Sequence, residues 1–261
     1  MARLIKMDLV RLLHSKVFWI SAGIIFVIQC AINFSTPLVA NWLMDFAKKG
    51  DQFKPIVVTF SSILSGPLMQ FFIIFMYLSA VSFLYADIAN GYVKNIAGQI
   101  SKKGYTAISK MIVLVFHNFV FLLLGALGLM LGSMLSPSAH VVFDGNIPYA
   151  VGVFFIKLLL SLALCSILLI VTMGLRSKSF AIVLGVLFSV GILSTLYMGI
   201  NMLIAKLGVA NFDITKFVPD QLFFAEMNNA NDLLIAFAAA VVFIAVFTTL
   251  TVNIFNKTDV K

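Results

Sequence analysis

Charged side chains are scarce in this chain of 261 residues, of which only 11% are Asp, Glu, Lys or Arg. A soluble domain has about 25% charged and about 45–50% apolar residues, whereas 62% of this sequence is hydrophobic and its mean hydropathy is +1.09. The composition excludes a soluble globular fold, and it excludes disorder, which requires low hydrophobicity. We therefore predict an all-α polytopic membrane protein with no separate soluble domain.

Residues that build catalytic or metal centres are also few. The two cysteines, Cys30 and Cys165, lie in apolar runs, so we expect free thiols rather than a disulfide. The histidines His14, His117 and His140 lie far apart, which predicts no metal site. The Walker A pattern G-x-x-x-x-G-K-[ST] is missing. We therefore predict that the chain is not an enzyme and cannot hydrolyse ATP by itself.

Hydropathy predicts one transmembrane domain, 1–261, with six helices of about the 20 residues that a crossing needs. Segment 1–16 is predicted to be an amphipathic interfacial helix ahead of them. Within it, Ile5, Leu9, Leu12 and Leu13 fall in one arc of about 100°. The last outer loop, 208–232, is too apolar for a linker and is predicted to form semi-buried, re-entrant short helices broken at Pro219. The predicted spans are 17–34, 67–85, 111–135, 149–175, 180–204 and 233–255.

The distribution of positive charge predicts the orientation. The net charge is +8, and in a membrane protein such an excess marks the cytoplasmic side rather than a nucleic-acid partner. With the N-terminus inside, twelve Lys and Arg residues fall in inner segments and five in outer ones. Both termini are therefore predicted to be cytoplasmic, and segment 86–110 becomes the longest inner loop.

Polar side chains within the predicted spans are the candidates for a substrate cleft. Lys157 is the charged one, about 12 Å from the outer end of its span. It either reaches the interface with its long side chain or faces a central cleft and binds an anionic part of a substrate. The uncharged ones are first expected to form interhelical hydrogen bonds. They are Gln29, Asn33, Gln70, His117, Asn118 and Asn201.

A glycine pair in the third predicted span concerns packing. Gly128 and Gly132 have the small-xxx-small spacing that allows two helix backbones to approach closely. The pair predicts a tight helix contact and carries no information about function.

The most specific signal lies in the inner loop, where YADIANGYVKN (85–95) is followed by IAGQISKKGY (96–105) and TAISK (106–110). This resembles the ABC-2-type permease subunits of bacterial ABC exporters, and most of all the small Gram-positive permeases of antimicrobial-peptide immunity and peptide export. In that family the second span ends in an acidic residue, an Asn-Gly or Gly-Thr pair follows, and a lysine opens the third span. The resemblance also covers the plan of an interfacial helix, six spans and a semi-buried last outer loop.

The resemblance implies roles for the residues of this loop. Asp87, where the family more often has Glu, would mark the turn out of the second span with Asn90 and Gly91. A coupling helix would follow. Its apolar face would enter a groove on an ATPase subunit, and its lysines would contact acidic groups at the rim of that groove. The spacing i, i+3, i+7 puts the apolar residues on one side. The face consists of Val93, Ile96 and Ile100, and the lysines are Lys94, Lys102 and Lys103.

The resemblance further implies two permease subunits, identical or related, beneath which two ABC ATPase subunits bind ATP and Mg. The permease itself would bind no cofactor. The implied function is export of amphipathic peptides or lipid-like substrates across the bacterial cytoplasmic membrane by alternating access. Two alternatives stay open. One is a non-transporting scaffold or sensor subunit of a peptide-resistance system. The other is an ion-coupled carrier, which the shortage of acidic residues deep in the spans disfavours.

Overall fold

Helices make up nearly all of the described structure, a computed structural model that covers residues 1–47, 56–66, 73–91, 104–207, 212–227 and 229–257. In chain order the elements are α1 (Ala2–Leu13), α2 (Lys16–Ala47), β1 (Ile56–Thr59), α3 (Phe60–Ser65), α4 (Ile73–Ala89), α5 (Tyr105–Leu135), β2 (Ala139–Val142), α6 (Ile147–Leu169, continued by a π-helical turn, Ile170–Gly174), α7 (Lys178–Val190), α8 (Leu193–Lys206), a 3-10 turn (Ile214–Lys216), α9 (Pro219–Phe224) and α10 (Ala230–Lys257).

Four described helices are long and apolar enough to cross a membrane, which confirms a membrane protein built of helices. They comprise Lys16–Val39 of α2, all of α5, Ile147–Gly174 and α10. The bent pair α7 and α8 makes a fifth if it is counted as one span. The number six is not confirmed, because α4 alone is shorter than a crossing and residues 67–72 of that predicted span lie outside the described residues. The orientation of the chain stays a prediction.

The core is centred on α6. This helix packs against α3, α5, α9 and α10, and it is the most buried of the four long apolar helices. The second major contact joins α2 to α5, where Gly128 and Gly132 face the backbone of α2 around Phe26 and Cys30. The close helix approach predicted from the glycine spacing is therefore confirmed. Because α6 touches so many elements, its polar side chains point into protein rather than into lipid.

The fifth predicted span, 180–204, is not a single straight helix. The chain bends by 76° between α7 and α8. Gly191 ends α7 with φ +74°, the left-handed conformation in which many helices terminate. Hydropathy could not reveal this break, because the residues on both sides of Gly191 are apolar.

The ends of the first two helices also differ from the prediction. α2 continues beyond residue 34 to Ala47 and passes through Pro37. α1 is a helix as predicted, but one face packs on the protein: Leu12 is buried, and Ile5 and Leu9 pack against the core. Asp8 is buried on that same face. α1 is therefore docked on the helical bundle, and its exposed side carries Val10 and Leu13.

A small parallel sheet was not predicted for this all-α chain. Strands β1 and β2 pair in parallel, with Ile56 opposite Ala139 and Thr59 opposite Val142. Neither strand could be recognised alone, because the pairing joins residues about 80 positions apart. Asp144, just after β2, accepts hydrogen bonds from the backbone and the hydroxyl of Ser61 in α3. The bond from the Ser61 hydroxyl lowers the pKa of Asp144. This partly exposed carboxylate therefore helps to hold the β1–α3 segment in place.

The segment that precedes α10 contains short helices, as the sequence suggested, but Pro219 does not break one. Pro219 is the first residue of α9, a position where the missing N–H of proline leaves no helix hydrogen bond unmade. α9 lies on α6 through Leu222 and Phe223, both of which are buried.

Candidate functional site

Four charged side chains are buried together where α1, α4 and α5 meet. Asp8 and Asp87 are each 3% exposed, Lys110 is fully buried, and Arg11 is partly exposed. Charged groups are rarely found inside proteins unless they are paired. This set contains two acids and two bases, so it is neutral as a whole. We call these four residues the charge cluster.

Lys110 lies at the centre of the charge cluster. Its Nζ is 2.8 Å from Asp87 Oδ2 and 3.3 Å from Asp8 Oδ1, and it lies 4.0 Å from the centroid of the Phe83 ring. Arg11 forms an ion pair with Asp87 and lies 3.8 Å from Asp8. Each acid therefore interacts with both bases, so the loss of any one charge leaves an unbalanced charge in a buried place.

The local sequence explains how three helices supply these groups. Asp8 and Arg11 are three residues apart on α1, so they lie on the same side of that helix. Asp87 belongs to the last turn of α4. Ser109 and Lys110 follow the start of α5, and the Ser109 hydroxyl donates to Asp8 Oδ2 over 2.6 Å. The charge cluster thus fastens α1 to the end of one helix and the beginning of the next.

Segment 92–103 begins at a fixed point next to the charge cluster. The N–H of Asn90 donates to the Ala86 carbonyl over 3.1 Å, and the N–H of Gly91 donates to the Ile88 carbonyl over 3.2 Å. Gly91 has φ +64°, which ends α4 in a left-handed turn. Since Asp87 lies one turn earlier, the ion pairs hold the place where this segment leaves α4.

The other end of segment 92–103 is fixed as well. The N–H of Gly104 donates to Oδ1 of Asn256 in α10 over 2.9 Å. Lys110 then anchors the first turns of α5 to the charge cluster. The described residues on either side of segment 92–103 are therefore tied to α1, α4, α5 and α10.

The residues predicted for the coupling loop are placed only in part. The structure puts Asn90 and Gly91 at the end of α4 and buries Asp87 in ion pairs one turn before them. The other predicted residues lie outside the described part of the chain. They are Val93, Lys94, Ile96, Ile100, Lys102 and Lys103.

Sequence reasoning missed the rest of the charge cluster. Arg11 was considered only as a positive charge of an inner segment, and Lys110 only as such a charge and as the lysine that opens the third span in the resemblance. The available signal was Asp8, which lies three residues after Ile5 and four before Leu12 and hence on the apolar face of α1. An acid on such a face indicates a buried basic partner.

The polar residues of the bundle core form hydrogen bonds between helices, as expected for them. His117 lies 2.9 Å from Asn118 Oδ1 and 3.1 Å from the Ser79 hydroxyl of α4. Nδ2 of Asn118 donates to the Ser161 hydroxyl of α6 over 3.0 Å and lies 3.5 Å from Cys165 Sγ. These bonds tie α4, α5 and α6 together.

The described residues that were predicted to line a substrate cleft are distributed over α2, α6 and α8. Gln29 is buried in α2, and Asn33 donates to its backbone carbonyl within the same helix. Lys157 is buried in α6, Asn201 contacts the segment before α9, and Gln70 lies outside the described residues. In the described residues no three His, Cys, Asp or Glu side chains are grouped to bind a metal ion.

Helix α8 is linked to the segment before α9 by two polar side chains. Asn201 donates to Asp213 Oδ1 over 2.7 Å and accepts the N–H of Ile214 over 2.9 Å. Hydrogen bonds from Thr215, together with the one from Asn201, lower the pKa of Asp213. The Tyr197 hydroxyl donates to Asp220 over 3.1 Å. The described residues of α8 include no buried side chain, so these bonds fix its position.

Replacing Asn201 with Leu is expected to release the 3-10 turn from α8. The variant loses two hydrogen bonds worth about 1 kcal/mol each, so trypsin should cleave after the exposed Lys216 up to about thirtyfold faster. Met202→Leu, an apolar change at the exposed neighbouring position, is the control and should be cleaved at the wild-type rate. Equal cleavage of Asn201→Leu and the wild type would show that these bonds do not hold the turn.

The chain matches no known protein-family model and no curated protein. The features of this chain that bear on its function are the charge cluster, the apolar helices and the sequence of residues 85–110.

Proposed function

We propose that this chain is the transmembrane permease subunit of an ATP-driven ABC exporter of the bacterial cytoplasmic membrane. It moves amphipathic peptides or other hydrophobic substrates outward by alternating access. The observation that carries the proposal is the charge cluster, which fastens both ends of the proposed coupling segment to the helices that would have to move. The resemblance of residues 85–110 to ABC-2-type permeases supports the same proposal.

A coupling segment works only if a push on it moves transmembrane helices rather than bending its own ends. In this chain the segment leaves α4 one turn after Asp87 and enters α5 before Lys110, and these two side chains are 2.8 Å apart. At the end of the segment that enters α5, the N–H of Gly104 donates to Asn256 of α10. Packed and ion-paired elements transmit such displacements because they switch between discrete arrangements.

The energy comes from partner subunits in this proposal. Two ATPase subunits bind ATP and Mg and close on each other. The apolar side of the coupling helix, around Ile96, follows the groove of its ATPase subunit. A second permease, identical or related, faces the first, so that cargo enters between the two bundles from the inner leaflet.

The test is a charge placed on the apolar side of the coupling helix. Ile96→Glu is expected to reduce transport of a fluorescent amphipathic peptide at least tenfold in liposomes that contain the chain and the ATPase encoded beside it, because a carboxylate does not enter an apolar groove. Peptide should then no longer stimulate ATP hydrolysis. Asn95→Glu places the same charge on the opposite side of the predicted helix and should leave transport unchanged.

Two results would contradict the proposal. The first is normal transport by Ile96→Glu, and the second is failure of the wild-type chain to associate with the ATPase in mild detergent. Association without movement of any cargo would instead favour the scaffold or sensor subunit.

A further inference from the structure

Lys157 of α6 is a buried cation for which the described residues supply no hydrogen bond and no ion pair. It is 7% exposed, and it lies ten residues after Ile147, about 15 Å along the helix. Among the residues that the structure describes, none forms a hydrogen bond or an ion pair with its Nζ. An ammonium group kept away from water is costly unless something neutralises it.

The neighbouring polar groups of the same helix face show the contrast. Lys157, Ser161 and Cys165 follow one another at intervals of four residues, so they lie in one row on α6. The Ser161 hydroxyl donates to the Leu158 carbonyl and accepts from Asn118, which also contacts Cys165. Ser161 and Cys165 therefore have hydrogen-bond partners within the protein. Lys157, the member of the row nearest the start of α6, does not have one among the described residues.

The side chain of Lys157 points toward α9. Its Nζ lies 5.8 Å from the centroid of the Phe223 ring, and Phe223 is itself buried in α9. The ammonium group therefore lies beneath α9. Glu226, an exposed residue just after α9, attracts Lys157 electrostatically but forms no ion pair with it.

We propose that Lys157, beneath α9, binds the anionic head of an amphipathic ligand, a carboxylate or a phosphate, whose apolar part lies against the aromatic side chains beside it. Phe154 precedes Lys157 by one turn and is buried with it, and Phe223 covers it, so the site offers one positive charge in an apolar setting. The claim that this site binds exported cargo rests on the proposed function. The claim that it binds an anion does not depend on that function.

The experiment measures binding to the full chain in nanodiscs, without any ATPase. An amphipathic peptide with a free C-terminal carboxylate is compared with the same peptide amidated, by fluorescence anisotropy. In a second arm, phosphatidylglycerol is compared with phosphatidylcholine by the shift in Tm. The wild type is expected to prefer at least one anionic probe, by about tenfold, over the matching probe whose head has no net negative charge, since a hydrogen bond to a charged group supplies that much selectivity.

Two variants show whether Lys157 is responsible. Lys157→Met keeps the length of the side chain and should abolish the preference, whereas Lys157→Arg keeps the charge and should retain it. Removing an unpaired buried charge should leave the Tm of Lys157→Met equal to or above that of the wild type.

The two arms of the experiment distinguish a peptide from a lipid as the source of the anion. They also distinguish failure of the anion site from failure of the proposed exporter function. A preference for the carboxylate peptide identifies peptide cargo, and a preference for phosphatidylglycerol identifies lipid. Absence of both preferences in the wild type, or their persistence in Lys157→Met, would overturn the site. An anion preference in a chain that binds no ATPase would keep the site and reject the exporter.

Discussion

Asp87→Asn is expected to destabilise the protein by about 3–5 kcal/mol, the cost of leaving a buried ion pair without one partner. In the wild type, Asp87 balances Lys110 and Arg11 together with Asp8. The variant leaves two bases facing one acid, and Lys110 is fully buried and cannot turn toward water. The Tm of the purified protein in detergent should fall sharply, and the yield of folded protein should fall with it.

The double variant Asp87→Asn with Lys110→Met separates charge from packing. It removes one acid and one base, so Asp8 and Arg11 remain as a pair. If the unbalanced buried charge causes the destabilisation, the double variant should recover more than half of the lost stability. The coupling energy between Asp87 and Lys110 in this double-mutant cycle should then exceed about 1 kcal/mol. Asp144→Asn, the same change at a partly exposed carboxylate outside the charge cluster, is the control and should lower Tm by less. A Tm of Asp87→Asn equal to that of the wild type would contradict the role given to the charge cluster.

The long helices could be predicted from the sequence because a crossing leaves a run of apolar residues. α5, α6 and α10 appear within a few residues of their predicted spans. The break at Gly191 was missed because it lies inside such a run. Hydropathy gives no information about the direction in which the chain continues after a residue. The left-handed conformation of Gly191 ends α7, and α8 then continues in another direction.

The candidate site was harder to predict than the fold, because its groups meet only in three dimensions. Asp8 and Lys110 are about 100 residues apart, yet they lie 3.3 Å from each other. Counting Lys and Arg by segment treats each charge as solvated, and this assumption fails for Lys110. An acid near the end of α4 was recognised through the resemblance, but its ion pairs with Arg11 and Lys110 came from the structure alone.

The second large effect is expected at the contact of α2 with α5. In Gly128→Ala the new Cβ would lie 2.8 Å from the Phe26 carbonyl oxygen and 2.9 Å from the Gln29 Cβ. The first of these is backbone, which cannot move without shifting the whole of α2. Overpacking of this kind costs about 1–3 kcal/mol, so Tm should fall, and Gly128→Leu should prevent α2 from docking at all.

Gly152→Ala is the matched control, because it is the same change inside another apolar helix. A Cβ at Gly152 meets nothing within 4 Å, and alanine is the better helix former by about 1 kcal/mol. The two substitutions should therefore shift Tm in opposite directions, or Gly152→Ala should leave it unchanged. Equal shifts would mean that helix propensity rather than close packing governs both positions, and that α2 and α5 do not need a glycine between them.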